Sequence, residues 1–139
     1  MAEAIMRQMV AKAGLSEQVE IDSAGTHCMQ PGAPAHDRTL TVLAENEVPP
    51  PGRARQLELE DLTGFDYVLA MDGGNLSFIL RYASGASADI RLFLNFAKAA
   101  GLTQREEVDD PFPDGDYKAA YRTIYKGCAA LLTHLQGSR

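Results

Sequence analysis

Apolar positions along the chain switch repeatedly between two spacings. In the opening "MAEAIMRQMV" and just beyond it, Ile5, Met6, Met9, Val10 and Ala13 fall on one face of a helix, and Gly14 is placed to stop it. "VEIDSAG" then alternates Val19 and Ile21 with polar residues before a Ser-Ala-Gly break, which predicts a short strand running into the loop "THCMQPGAPAHD". Helical spacing returns from Asp37 through Leu40, Leu43 and Ala44 and ends at "VPPPGRA", because three successive prolines cannot continue a helix. "ARQL" reads as a brief strand. "DYVLAMD" is a nearly continuous apolar run, too short for a helix and typical of a strand covered on both faces. In "GGNLSFILRYA", Leu76, Ile79 and Leu80 share a face, with Asp72 or Asn75 marking the helix start. "ADIRLFLNF" is a further strand candidate, "AKAAGLTQREEV" a surface connection, and "DDPFPDGDY" a loop. The last helix carries Tyr117, Ala120, Tyr121, Ile124, Cys128, Leu131, Leu132 and Leu135 as a core-facing stripe.

Strands alternating with helices over short links indicate an α/β fold: a parallel sheet with helices on both faces. Such folds usually open on a strand, whereas here the first element is a helix. The length of 139 residues and the 45% hydrophobic content suit a single domain spanning 1–139. With 13 basic against 19 acidic residues the net charge is -6, which argues against nucleic acid or a membrane surface as partner and favours a small or peptide-borne substrate. Glu3 and Arg7 interrupt the opening where a signal peptide needs an unbroken apolar stretch, so a cytoplasmic protein is expected. Cys28 and Cys128 make neither a disulfide framework nor a zinc spacing, and no metal or other cofactor is expected.

On local sequence Asp110, ahead of Pro111, reads first as a turn residue. Its functional alternative is a general acid on a loop at the strand ends, with Asp109 as the rival candidate. Cys28 has no arginine at a phosphate-cradling distance and reads as a loop residue; Cys128 lies on the apolar stripe and reads as core. His27 and His36 read as exposed loop histidines. "MDGGN" matches neither glycine-rich nucleotide-binding pattern and reads as a tight strand-to-helix turn.

Taken in order, "MAEAI", "DSAGT", "RARQL", "FDYVLAMDGGN", "IRLFLNF" and "DDPF" followed by a long helix resemble the low-molecular-weight protein tyrosine phosphatases over essentially the whole chain. The resemblance implies a phosphotyrosine phosphatase I-like, Rossmann-like three-layer sandwich around a four-stranded parallel sheet. It also implies hydrolysis of phosphomonoesters through a phosphocysteine, on a phosphotyrosine-containing protein or a small aryl phosphate. In that family a first strand runs into a C-x5-R-[ST]-P loop, and the helix resembling "MAEAI" follows directly. Backbone N–H groups and the helix N-terminus hold the phosphate dianion, and the same field lowers the cysteine pKa. By resemblance Asp110 is the general acid and base, Ser23 supports the phosphate loop, and Met29 and Phe112 stand where relatives place substrate-binding aromatics. A methionine at that wall is softer than an aromatic ring.

The departure is as specific as the match. Pro34 stands six positions after Cys28 and His134 six after Cys128, so residues 1–139 contain no C-x5-R. The first strand, the nucleophile and its arginine are expected to be missing, with Met1 standing at an internal methionine of a longer protein and the chain as written inactive. Two other readings remain: a non-catalytic binding or regulatory module of the same fold, and an arsenate reductase, which would need closely spaced relay cysteines. Oligomeric state has no signal in the sequence.

Overall fold

The computed structural model describes residues 1–137. In chain order the elements are α1 (Ala2–Lys12), α2 (Asp37–Glu45), α3 (Asp61–Gly64), β1 (Tyr67–Ala70), α4 (Gly73–Leu80), β2 (Asp89–Leu92), α5 (Asn95–Ala99) and α6 (Tyr117–Gly137). β1 and β2 pair in parallel, Val68 opposite Ile90 and Leu69 opposite Arg91, with α4 as the crossover between them.

The apolar run over β1 is explained by its two faces. Tyr67, Leu69 and Met71 pack into a large core with Ile5, Met6 and Val10 of α1 and Cys128 and Leu131 of α6, while Val68 and Ala70 point the opposite way to Leu62 and Ile79. A strand buried on both sides has no polar face to alternate. The stripes read from α1 and α6 meet each other: Ile5, Val10 and Cys128 are essentially inaccessible. Helix α6 also comes close to the turn that follows β2, since a Cβ on Gly127 would run into the Phe93 ring. Gly14, at φ +73°, takes the left-handed turn that ends α1.

Cys128 is core, as its position on the stripe predicted. Burial pushes its thiol up to about 12, and the Sγ lies 3.7 Å from the Ala2 carbonyl. A thiol-directed reagent at pH 8 is therefore expected to label half-buried Cys28 in the folded chain and Cys128 only after denaturation, as peptide mapping of the alkylated protein would show.

Three expectations are corrected. "VEIDSAG" is extended but joins no ladder, and its only sheet-like contact is a parallel bridge between Gly25 and Gln56, which is also all that "ARQL" contributes. A strand is defined by its neighbour, and residues 19–24 have none: β1 pairs with β2 on one edge and borders a cleft on the other. Leu80 is 53% exposed, so the face of α4 that packs is Leu76 and Ile79 alone. Part of the expected surface connection is helical, as α5, because Phe96 and Ala97 bury against α6.

Candidate active site

The cleft beside β1 has a volume of about 970 Å³ and is lined by the first turn of α1, by residues 16–27, by residues 64–71 and by Asn75. Its upper end lies at the carboxyl ends of the strands, where open parallel sheets place their ligands. The first turn of α1 borders the cleft, with Met1 at its N-cap and no side-chain cap.

Glu3 organises this end. It is the buried charged side chain among the described residues, 5% exposed. One carboxylate oxygen accepts the Ser23 hydroxyl at 2.6 Å; the other accepts the Gly52 N–H at 2.9 Å and lies 3.3 Å from the Arg7 guanidinium. Ser23 thus reaches the cleft wall tied to α1. Nothing in composition flagged Glu3, although a carboxylate on the helix face shared by Met6 and Val10 was the available signal.

Behind Ser23, the Arg55 guanidinium bonds Asp22 at 3.1 Å and forks onto both oxygens of Asp61 at 2.9 and 3.0 Å. Burial by itself raises the Asp61 pKa, but the Arg55 fork and the Glu58 N–H outweigh it and hold the carboxyl below its usual value. Its stabilisation is complete above the ordinary carboxylate pKa of about 3.9 and is lost as pH falls through the lower folded value. Acid unfolding of Asp61→Asn, followed by circular dichroism, should therefore lose part of the pH dependence seen in the parent below about pH 4.

Gln56 pins the next turn, accepting the Cys28 N–H at 2.8 Å and donating to the Thr26 carbonyl at 2.7 Å. The Thr26 hydroxyl donates to the Asn75 side chain at 3.2 Å, joining "DSAGT" to "MDGGN". Asp72 caps α4 by accepting the Asn75 N–H at 2.7 Å, so "MDGGN" is the tight turn expected. His27 and His36 are exposed; His36 does more than that, capping α2 through its Nδ1.

The Asp-Pro loop is fastened to the same end of the sheet. The Val108 N–H donates to the Met71 carbonyl at 2.8 Å, and Glu107 accepts the Gly73 N–H. Arg38 donates to the carbonyls of Pro113 and Gly115 at 3.1 and 3.2 Å while lying 4.5 Å from the Tyr117 ring centroid. Asp110 is exposed and accepts the Phe112 N–H at 3.0 Å, which leaves its second oxygen without a donor among the described residues. Asp109 is committed to Arg105 at 2.5 Å. The local turn and a free carboxylate oxygen therefore coexist at Asp110. Met29 is 88% and Phe112 61% exposed, and neither lines the cleft; Phe112 packs edge-on against His36 at 5.3 Å. Arg38 left no mark in the sequence pattern, and Arg55 and Gln56 entered it only within "RARQL"; the bonds Arg38, Arg55 and Gln56 make to Pro113, Asp22 and Cys28 emerge only from the fold.

A family model described as "Low molecular weight phosphotyrosine protein phosphatase" matches residues 1–139. The chain is 38% identical over 130 residues to low molecular weight phosphotyrosine protein phosphatase 2 of Drosophila melanogaster, covering 92% of this chain and 76% of that one. It is 33% identical over 138 residues to the low molecular weight protein-tyrosine-phosphatase YfkJ of Bacillus subtilis, covering 98% of this chain and 86% of that one. The crystal structure of YfkJ superposes with a TM-score of 0.91 over 99% of this chain and 86% of that chain. Sequence and architecture agree, and the chain belongs to the low molecular weight phosphotyrosine protein phosphatase family.

Proposed function

We propose that this domain carries the acid–base and scaffolding half of a cytoplasmic protein tyrosine phosphatase, and that turnover requires a C-x5-R loop joined ahead of Met1. The cleft beside β1 carries this reading: it is bordered by two extended segments and ends at the uncapped first turn of α1, where a strand and phosphate loop would arrive. In the complete site a cysteine thiolate attacks phosphorus, and the phosphoryl group passes to sulfur while the tyrosine oxygen leaves with a proton from Asp110. Asp110, now a carboxylate, takes a proton from water; the hydroxide attacks phosphorus, and phosphate and thiolate are released. Glu3 and Ser23 act by holding α1 against the segment bearing "DSAGT". Residues 1–139 by themselves supply neither nucleophile nor guanidinium clamp and are expected not to turn over.

The substrate is a phosphotyrosine-containing protein or a small aryl phosphate, which Met29 and Phe112, exposed apolar side chains outside the cleft lining, would meet from the surface. Two unpaired thiols suit a reducing compartment. An arsenate reductase is disfavoured by the burial of Cys128, which cannot serve in a thiol relay. The test is substrate preference: a chain extended through a C-x5-R loop should hydrolyse phosphotyrosine peptides at least about 100-fold faster than phosphoserine peptides of the same sequence. Equal rates on the two would overturn the assignment.

A further inference from the structure

We propose that Arg38 is the positioning residue of the Asp-Pro loop: its guanidinium, mounted at the start of α2, fixes where residues 112–115 lie and so where the free oxygen of Asp110 stands. The inference rests on the reading of Asp110 as general acid and names the residue through which the fold places it.

The loop has little of its own to stand on. Val108 and Tyr117 are buried, at 6% and 4% exposure, and between them residues 109–116 bury no side chain. Pro111 and Pro113 bring no N–H. Within residues 109–116 a single backbone bond forms among the described residues, from the Gly115 N–H to the Pro111 carbonyl at 2.6 Å. Asp109, Asp110, Asp114 and Asp116 add like charges that push such a segment apart.

Arg38 supplies what is lacking. Its planar fork donates to the Pro113 and Gly115 carbonyls at 3.1 and 3.2 Å, and neither carbonyl accepts a backbone N–H among the described residues. The guanidinium carbon lies 4.5 Å from the centroid of the buried Tyr117 ring, so the cation and the end of the loop share one platform. An ammonium could reach one carbonyl but could not span two in a plane over a ring. Arg38 is in no ion pair among the described residues, so its charge offsets the four aspartates without being taken up by one of them.

The mount is firm. Arg38 is the second residue of α2, its own N–H is accepted by His36 Nδ1 at 3.2 Å, and Leu43, 1% exposed, locks α2 into the core. The His36 ring stacks on Tyr117 at 5.6 Å and meets the edge of Phe112 at 5.3 Å, so the residue that caps α2 also braces the loop. From α2 to Asp110 the path is short. Arg38 holds Pro113 and Gly115, Gly115 holds Pro111, and the Phe112 N–H holds one Asp110 oxygen and leaves the other to act.

Kinetics are read in a chain carrying a C-x5-R loop ahead of Met1, and amide hydrogen exchange in the 139-residue chain. Arg38→Ala should lower kcat/KM on a phosphotyrosine peptide about 10- to 100-fold, part of the loss that an absent acid causes. On p-nitrophenyl phosphate, whose leaving group needs no proton, the loss should stay below about threefold, and inorganic phosphate should inhibit within about twofold of its parental constant. In an Asp110→Asn background Arg38→Ala should cost no more than about twofold, because the acid it places is gone. Arg38→Lys, which keeps the charge, should fall between the parent and Arg38→Ala. Exchange at Phe112 and Gly115 should be at least about fivefold faster in Arg38→Ala, with Val108, bonded to the Met71 carbonyl, unchanged. The proposal is overturned by equal losses on both substrates, by a full further loss on top of Asp110→Asn, by an Arg38→Lys variant that matches the parent, or by unchanged exchange at Phe112 and Gly115. An inactive extended chain would remove the phosphatase reading while exchange still decides whether Arg38 holds the loop; an active one with Arg38→Ala at the parental rate would remove this inference alone.

Discussion

Asp110→Asn, made in a chain that carries a C-x5-R loop ahead of Met1, should lower kcat on a phosphotyrosine peptide about 100- to 10,000-fold. The free oxygen of Asp110 is the one available to a leaving group, since the other accepts the Phe112 N–H. An amide can keep that turn but cannot deliver a proton. The loss should shrink on p-nitrophenyl phosphate, whose nitro group stabilises the departing phenolate without protonation. Asp109→Asn is the control: its carboxylate is engaged by Arg105, and activity should change by no more than about twofold. Steady-state kinetics on both substrates separate an acid from a merely structural aspartate, because a structural defect would depress both rates alike.

Glu3→Ala should destabilise the 139-residue chain by about 3 kcal/mol in chemical denaturation. It strands the Ser23 hydroxyl and the Gly52 N–H, whose bonds to a carboxylate are each worth about 1.5–3 kcal/mol when partly buried. Glu3→Gln keeps one acceptor oxygen and the shape of the side chain, so its cost should be less than half as large. In an extended, active chain the same Glu3→Gln change should lower kcat while leaving stability nearly intact, since Glu3 fixes α1 against the segment carrying Ser23.

What was legible in the sequence is what short-range pattern encodes. The helical faces of α1 and α6, the two-sided burial of β1, the Asp72 cap and the buried fate of Cys128 all follow from spacing within a few residues. The strand expected at "VEIDSAG" was legible only as an extended segment, because laddering depends on a partner that pattern along one stretch does not specify. The partners of Arg38, Arg55 and Gln56 escaped for a related reason. Each guanidinium or amide satisfies groups whose positions depend on the finished fold, Arg38 reaching across 75 residues to the Pro113 carbonyl. Asp110 and Ser23 could be singled out by resemblance, whereas the Glu3 carboxylate that holds Ser23 emerged only from geometry.

The central claim is that these residues form a phosphatase body whose chemistry enters through a strand and loop ahead of Met1. The direct measurement is hydrolysis of p-nitrophenyl phosphate by the 139-residue chain beside the product of the same reading frame translated from further upstream. A longer chain that contains C-x5-R and turns over, with the 139-residue chain at background, is the expected result. Turnover by residues 1–139 alone, or an inactive longer chain that does contain C-x5-R, would contradict it.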